Sequence, residues 1–142
     1  MVRDTTRQLR RWLMGILVLG LTGTGVELLL LEHYEDSWQL VPVVLISSAL
    51  AVLAWHGRRG HAASARAIRV TMVSFLIAGA VGIGLHFRGA AEFQLEIDAT
   101  LNWWELSKKV MRAKAPPVLA PGIMVQLGLL GLAYGWRDTN EA

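Results

Sequence analysis

The sequence predicts an all-α integral membrane protein of four transmembrane helices, with both termini on the cytoplasmic side. Three observations carry this expectation. Hydrophobic residues make up 54% of the 142-residue chain and charged residues only 18%, against about 25% charged in soluble proteins. The apolar residues gather into four blocks, near 12–31, 38–55, 70–87 and 117–136, each close to the roughly 17 to 25 residues that cross a bilayer. Trp12, Trp38, Trp55 and Trp136 fall at block ends, where an indole can pair an apolar body with a hydrogen bond to the headgroup region. A chain of this length makes one domain.

The first block follows MVRDTTRQLRRW, with Arg3, Arg7, Arg10 and Arg11 against one acid, Asp4. A basic start before an apolar run also describes a signal peptide. Here, however, the run resumes after Gly23-Thr24-Gly25 as Leu28 to Leu31, which makes it about 20 residues, longer than a signal's apolar core. It is read as a retained span. The run ends in ELLLLEHYED, a burst of acid that marks a membrane boundary and a short turn before the second block. Pro42 lies early in that block, where a missing N–H does little harm.

A basic linker of His56, Arg58, Arg59, His61, Arg66 and Arg69, without an acid, precedes the glycine- and alanine-rich third block. The fourth block ends in the tail Arg137 to Ala142. Placing the N-terminus inside puts nine of the 14 Lys and Arg residues on the cytoplasmic face, as the positive-inside rule requires. The net charge of +3 then resides at helix ends and calls for no nucleic-acid partner.

Between the third and fourth blocks lies a polar extracytoplasmic segment, 88–116, in two parts. Glu92 to Asp98 alternates Phe93, Leu95 and Ile97 with Glu92, Gln94, Glu96 and Asp98, a strand pattern that would need a partner strand, as from a second subunit. From Trp103 to Ala113 the period is helical, and Asn102 and Glu105 have capping-box spacing. Trp103, Trp104, Leu106, Val110, Met111 and Ala113 share one face of that helix; Glu105, Lys108, Lys109 and Arg112 share the other. Such a helix lies in the outer interface with its rings buried, or caps the bundle or a partner.

The absence of cysteine excludes disulfides, thiolate ligands and cysteine nucleophiles. No phosphate loop, dinucleotide fingerprint, nucleophile elbow or zinc-protease motif occurs, so no catalytic residue is assigned. Enzymatic activity stays open only through acid–base work by the outer acids and histidines.

Glu27 is the most informative single residue, because an ionisable group within a span is a functional-site hypothesis by default. Gly20, Gly23 and Thr24 share its face by spacing, so it is expected to point into the bundle. His86 at the end of the third block and Gln126 in the fourth would join it in an intramembrane polar cluster. Arg88 would either reach down to Glu27 or snorkel to the headgroups.

No cofactor is predicted outright, but haem or a divalent metal is an alternative. His33, His86, Glu32, Glu35 and Asp36 gather imidazole and carboxylate ligands at one membrane face, and His33 with His86 could supply haem axial ligands. The Glu-x-x-His pairing of carboxylate-bridged bundles is missing.

Three functions follow. The leading one is a non-enzymatic accessory or scaffold subunit binding lipids, other membrane proteins or its own copies. The second is a small dimeric transporter with Glu27 as its proton site. Four spans with one acid in the first resembles the small multidrug resistance transporters in outline, although those chains are shorter, with short loops and weak charge bias. The third is the metal or haem protein. The topology also resembles small bacterial four-span proteins, which implies an inner-membrane location.

Overall fold

The structure, a computed structural model, describes residues 2–114 and 116–136. The expected cytoplasmic tail from Arg137 lies outside the described residues. The described chain is helical throughout, in five elements: α1 (Val2–Leu30), α2 (Ser37–Arg59), α3 (Ala62–Ile97), α4 (Trp103–Met111) and α5 (Leu119–Gly135). Helices α1, α2 and α3 are each long and apolar enough to cross a membrane, whereas α5 is an apolar helix of 17 residues.

Local chemistry sets the turns. Helix α1 closes through Glu32, whose φ of 52° is left-handed, and the His33 N–H returns to the Leu28 carbonyl at 2.9 Å. This is the usual way of satisfying last-turn carbonyls. Asp36 caps α2 by accepting the Trp38 N–H at 2.7 Å. Gly60, at φ 59°, ends α2 and donates its N–H to the His56 carbonyl, which lets α3 start two residues later.

These short turns make α1, α2 and α3 successive neighbours, and α5 completes the bundle by packing on both α1 and α3. The core joins Leu17 and Leu21 of α1, Ile46, Ala49 and Leu53 of α2, Ile68, Met72 and Phe75 of α3, and Met124 and Leu127 of α5. On α3 the buried positions Ser64, Ile68, Met72, Phe75 and Gly79 recur at three or four residues, the period of one helix face.

Glycines bring α3 and α5 together. A Cβ on Gly79 would lie 2.9 Å from the Pro121 carbonyl oxygen, and one on Gly128 would lie 2.9 Å from that of Met72. Only a hydrogen fits at either place, so the two backbones are in near contact.

One element differs from expectation. The segment 92–98 is not a strand: α3 runs unbroken to Ile97. Helix formation pairs the N–H groups of the segment, down to the Asp98 N–H on the Gln94 carbonyl, and leaves only last-turn carbonyls over, whereas a lone strand leaves all its N–H and C=O groups unpaired. The Arg88–Glu92 pair, 2.7 Å apart at i,i+4, supports the same choice. A second small core of Ala91, Leu106 and Val110 then holds α4 against this extension.

Candidate functional sites at the two ends of the bundle

The predicted polar cluster does not assemble within one chain. Glu27, His86, Arg88 and Gln126 are all exposed. Arg88 is committed to Glu92 instead, and that hydrogen bond, with the carboxylate's charge, raises its pKa above the ordinary guanidinium value. Glu27 misses the interior for a geometric reason. The inward stripe of α1 runs through Leu17, Leu21, Thr24, Gly25 and Leu28, and Glu27 is about 100° of helix rotation from Leu28. Of its glycine neighbours, Gly20 meets Leu127, but Gly23 faces open space.

The acidic end brings together one of the expected pairs. The His33 and His86 rings lie nearly parallel, 10° apart in plane, with centroids 6.4 Å apart. His33 is half-buried and His86 exposed. Glu32 begins the turn, Glu35 donates its backbone N–H to the Gln39 side chain, and Asp36 is the α2 cap. Among the described residues no three His, Asp or Glu side chains converge as a metal-ligand group. The carboxylates named from sequence are therefore used in, or spread along, the turn.

Beyond this end stands α4. Both halves of its capping box form: the Asn102 side chain accepts the Trp104 and Glu105 N–H groups, and Glu105 accepts the Asn102 N–H. The single apolar face expected from spacing divides in two. Leu106 and Val110 are buried against α3, while Trp103 and Trp104 point outward, 70% and 67% exposed. Trp103 also touches the Phe87 ring at 5.8 Å between centroids, and Lys108 lies 4.7 Å from the Trp104 ring. Asp98 locks the elbow before α4. It accepts from the Thr100 hydroxyl at 2.6 Å and the Thr100 N–H at 3.1 Å, and it faces Lys109 at 3.7 Å. These donors, the hydroxyl first, hold its carboxyl below the usual value.

The opposite end contains a feature that residue spacing did not reveal. A cavity of about 480 Å³ opens among Arg7, Arg10, Arg11, His56, Ile68 and Tyr134, drawn from α1, α2, α3 and α5. Arg10 donates from Nη2 to the Tyr134 carbonyl at 3.3 Å, with its guanidinium 5.6 Å from that ring's centroid. His56 Nδ1 lies 2.8 Å from the hydroxyl of Ser64, the buried polar residue that opens the inward stripe of α3. Ser64 donates that hydroxyl proton to the His61 carbonyl at 2.7 Å, so its oxygen is left to accept from a His56 ring protonated at Nδ1. From sequence, His56 read as a linker residue, solvated or near lipid phosphates, rather than as a ligand. The one available clue was Ser64 standing in register with Ile68 and Met72.

No known protein family, curated protein or solved structure matches the chain.

Proposed function

We propose that the chain is a four-span membrane protein of the bacterial inner membrane, with both termini in the cytoplasm. Its role in this reading is that of a non-enzymatic accessory subunit that docks other membrane proteins through α4. The observation that carries the reading is the outward pair Trp103 and Trp104, fixed by a capped helix docked on α3. Rigid, exposed indoles are the side chains most enriched at the energetic centres of protein interfaces.

Topology is testable because the chain has no cysteine. In intact cells an impermeant maleimide should label Thr100→Cys and leave Arg59→Cys unlabelled until the membrane is opened; the reverse pattern sinks the orientation. For the docking role, a photo-crosslinking amino acid placed at Trp104 should capture a second protein in the native membrane. Capture of lipid alone would reject the subunit reading in favour of a simple interfacial anchor.

A second reading, the dimeric proton-coupled transporter, draws on Glu27. That carboxylate lies in the apolar helix α1, is exposed, and has no hydrogen-bond or ion-pair partner within the described chain. Another copy would have to supply its surroundings. Glu27→Gln should then abolish pH-driven uptake in reconstituted vesicles, and unchanged uptake removes Glu27 from that role.

A further inference from the structure

The basic cavity holds more positive charge than its own contacts use. Arg7, Arg10 and Arg11 stand three and four residues apart on α1, so their guanidiniums emerge on neighbouring positions of one helix. Arg10 is held by Tyr134. Arg7 and Arg11 are exposed at the cavity wall, and neither has a hydrogen-bond or ion-pair partner among the described residues. Among the described residues no Asp or Glu lines the space. Like charges so placed repel one another. An anion bridging them would remove that repulsion and add charge-assisted hydrogen bonds.

Shape and surroundings narrow the anion. The cavity's 480 Å³ falls in the range of about 300 to 1,000 Å³ that small-molecule sites occupy. Guanidinium forks match the paired oxygens of a phosphate. The Ser64 bond fixes the His56 ring as one wall, and the edge-on Tyr134 ring, 6.2 Å away between centroids, forms the next. Trp12, Trp55 and Trp136 each adjoin a lining residue in sequence and are exposed. They therefore put the cavity mouth at the depth where indoles meet lipid headgroups.

We propose that this cavity binds a phosphate group through Arg7 and Arg11, the natural source being an anionic phospholipid headgroup of the cytoplasmic leaflet. Basic pockets between helices on that side are how lipid headgroups are recognised in membrane proteins generally. The membrane-spanning reading underlies the lipid source; the phosphate chemistry stands without it.

The test uses the full chain in a mild non-ionic detergent. Thermal melting and native mass spectrometry would follow titration with phosphatidylglycerol, phosphatidylcholine or inorganic phosphate at one ionic strength. Phosphatidylglycerol should be retained and raise the melting temperature, and phosphatidylcholine should do neither. The double variant Arg7→Gln/Arg11→Gln should bind at least about tenfold more weakly, the loss expected for a charge-assisted contact. A second double variant, Arg58→Gln/Arg59→Gln, removes equal charge from the same end outside the cavity and should bind as the parent does.

Stabilisation by inorganic phosphate with the same dependence on Arg7 and Arg11 would support the phosphate site and assign it to a soluble ligand. Equal binding by the parent and the Arg7/Arg11 variant would overturn the proposal, as would equal loss in the two double variants. Release of the chain from membranes by alkaline carbonate would defeat the membrane reading separately, while the phosphate titration would still decide the site.

Discussion

A Cβ built on Gly79 meets the Pro121 carbonyl oxygen at 2.9 Å and the Val125 nitrogen at 3.1 Å; on Gly128 it meets the Met72 carbonyl and Leu76. Backbone atoms cannot turn aside as side chains do, so alanine at either position must push α3 and α5 apart. Gly79→Ala and Gly128→Ala should each cost about 1 to 3 kcal/mol of stability, read by denaturant titration in detergent. Gly84 has nothing within 4 Å. There alanine should add roughly 0.5 to 1 kcal/mol through helix propensity alone. Glu32 poses the reverse case, since a non-glycine residue at φ 52° is strained. Glu32→Gly should stabilise the turn by about 1 kcal/mol, and a drop in stability would mean that the carboxylate has a further role. At this scale the Asn102–Glu105 box was legible, because it depends only on neighbours in sequence. The direction of Glu27 was not. Glycines at 20 and 23 mark a close approach only where another helix is present, and α5 meets Gly20 alone.

The elbow and α4 behave as one element, held by Leu106, Val110 and the Asp98 bonds. Leu106→Ala removes a side chain that is only 5% exposed and should cost about 2 to 5 kcal/mol, concentrated in α4. Trypsin should then cut at Lys108 and Lys109 faster than in the parent, and an unchanged rate would show that the docking depends on other contacts. The pH response follows from Asp98. Its folded carboxyl titrates below the ordinary value of 3.8, so its contribution is fully present above that value and fades as pH falls through the lower folded value. Protection of the 98–100 amides from hydrogen exchange should fall in that acid window for the parent. In Asp98→Asn it should already be weaker and pH-independent there. The seven-residue alternation misled at this scale because both candidate conformations leave its side chains outside the bundle. Phe93 and Ile97 are exposed on the helix, so no burial pattern existed to report the period. Backbone hydrogen bonding decided the outcome instead.

For the whole molecule, block lengths and composition were enough to indicate an all-helical chain with long apolar helices, three of them of membrane-crossing length. The cavity between α1 and α5 was illegible because it depends on how far four helices splay, which no single face records. The length of α3 has its own consequence. Its 36 residues make a rod about 54 Å long, against a hydrocarbon layer of about 30 Å. If it is anchored at its basic end, a change of 10° in tilt carries the other end sideways by about 9 Å, and α4 travels with it. Helices tilt to match the thickness of the layer around them. In the proposed membrane-spanning reading, the tilt of α3 measured in oriented bilayers of short- and long-chain lipids should therefore differ, and equal tilts would refute the lever. In the membrane-spanning reading proposed above, the stretch that carries Trp103 and Trp104 would work as the pointer of a gauge, its position set by the thickness of the lipid below.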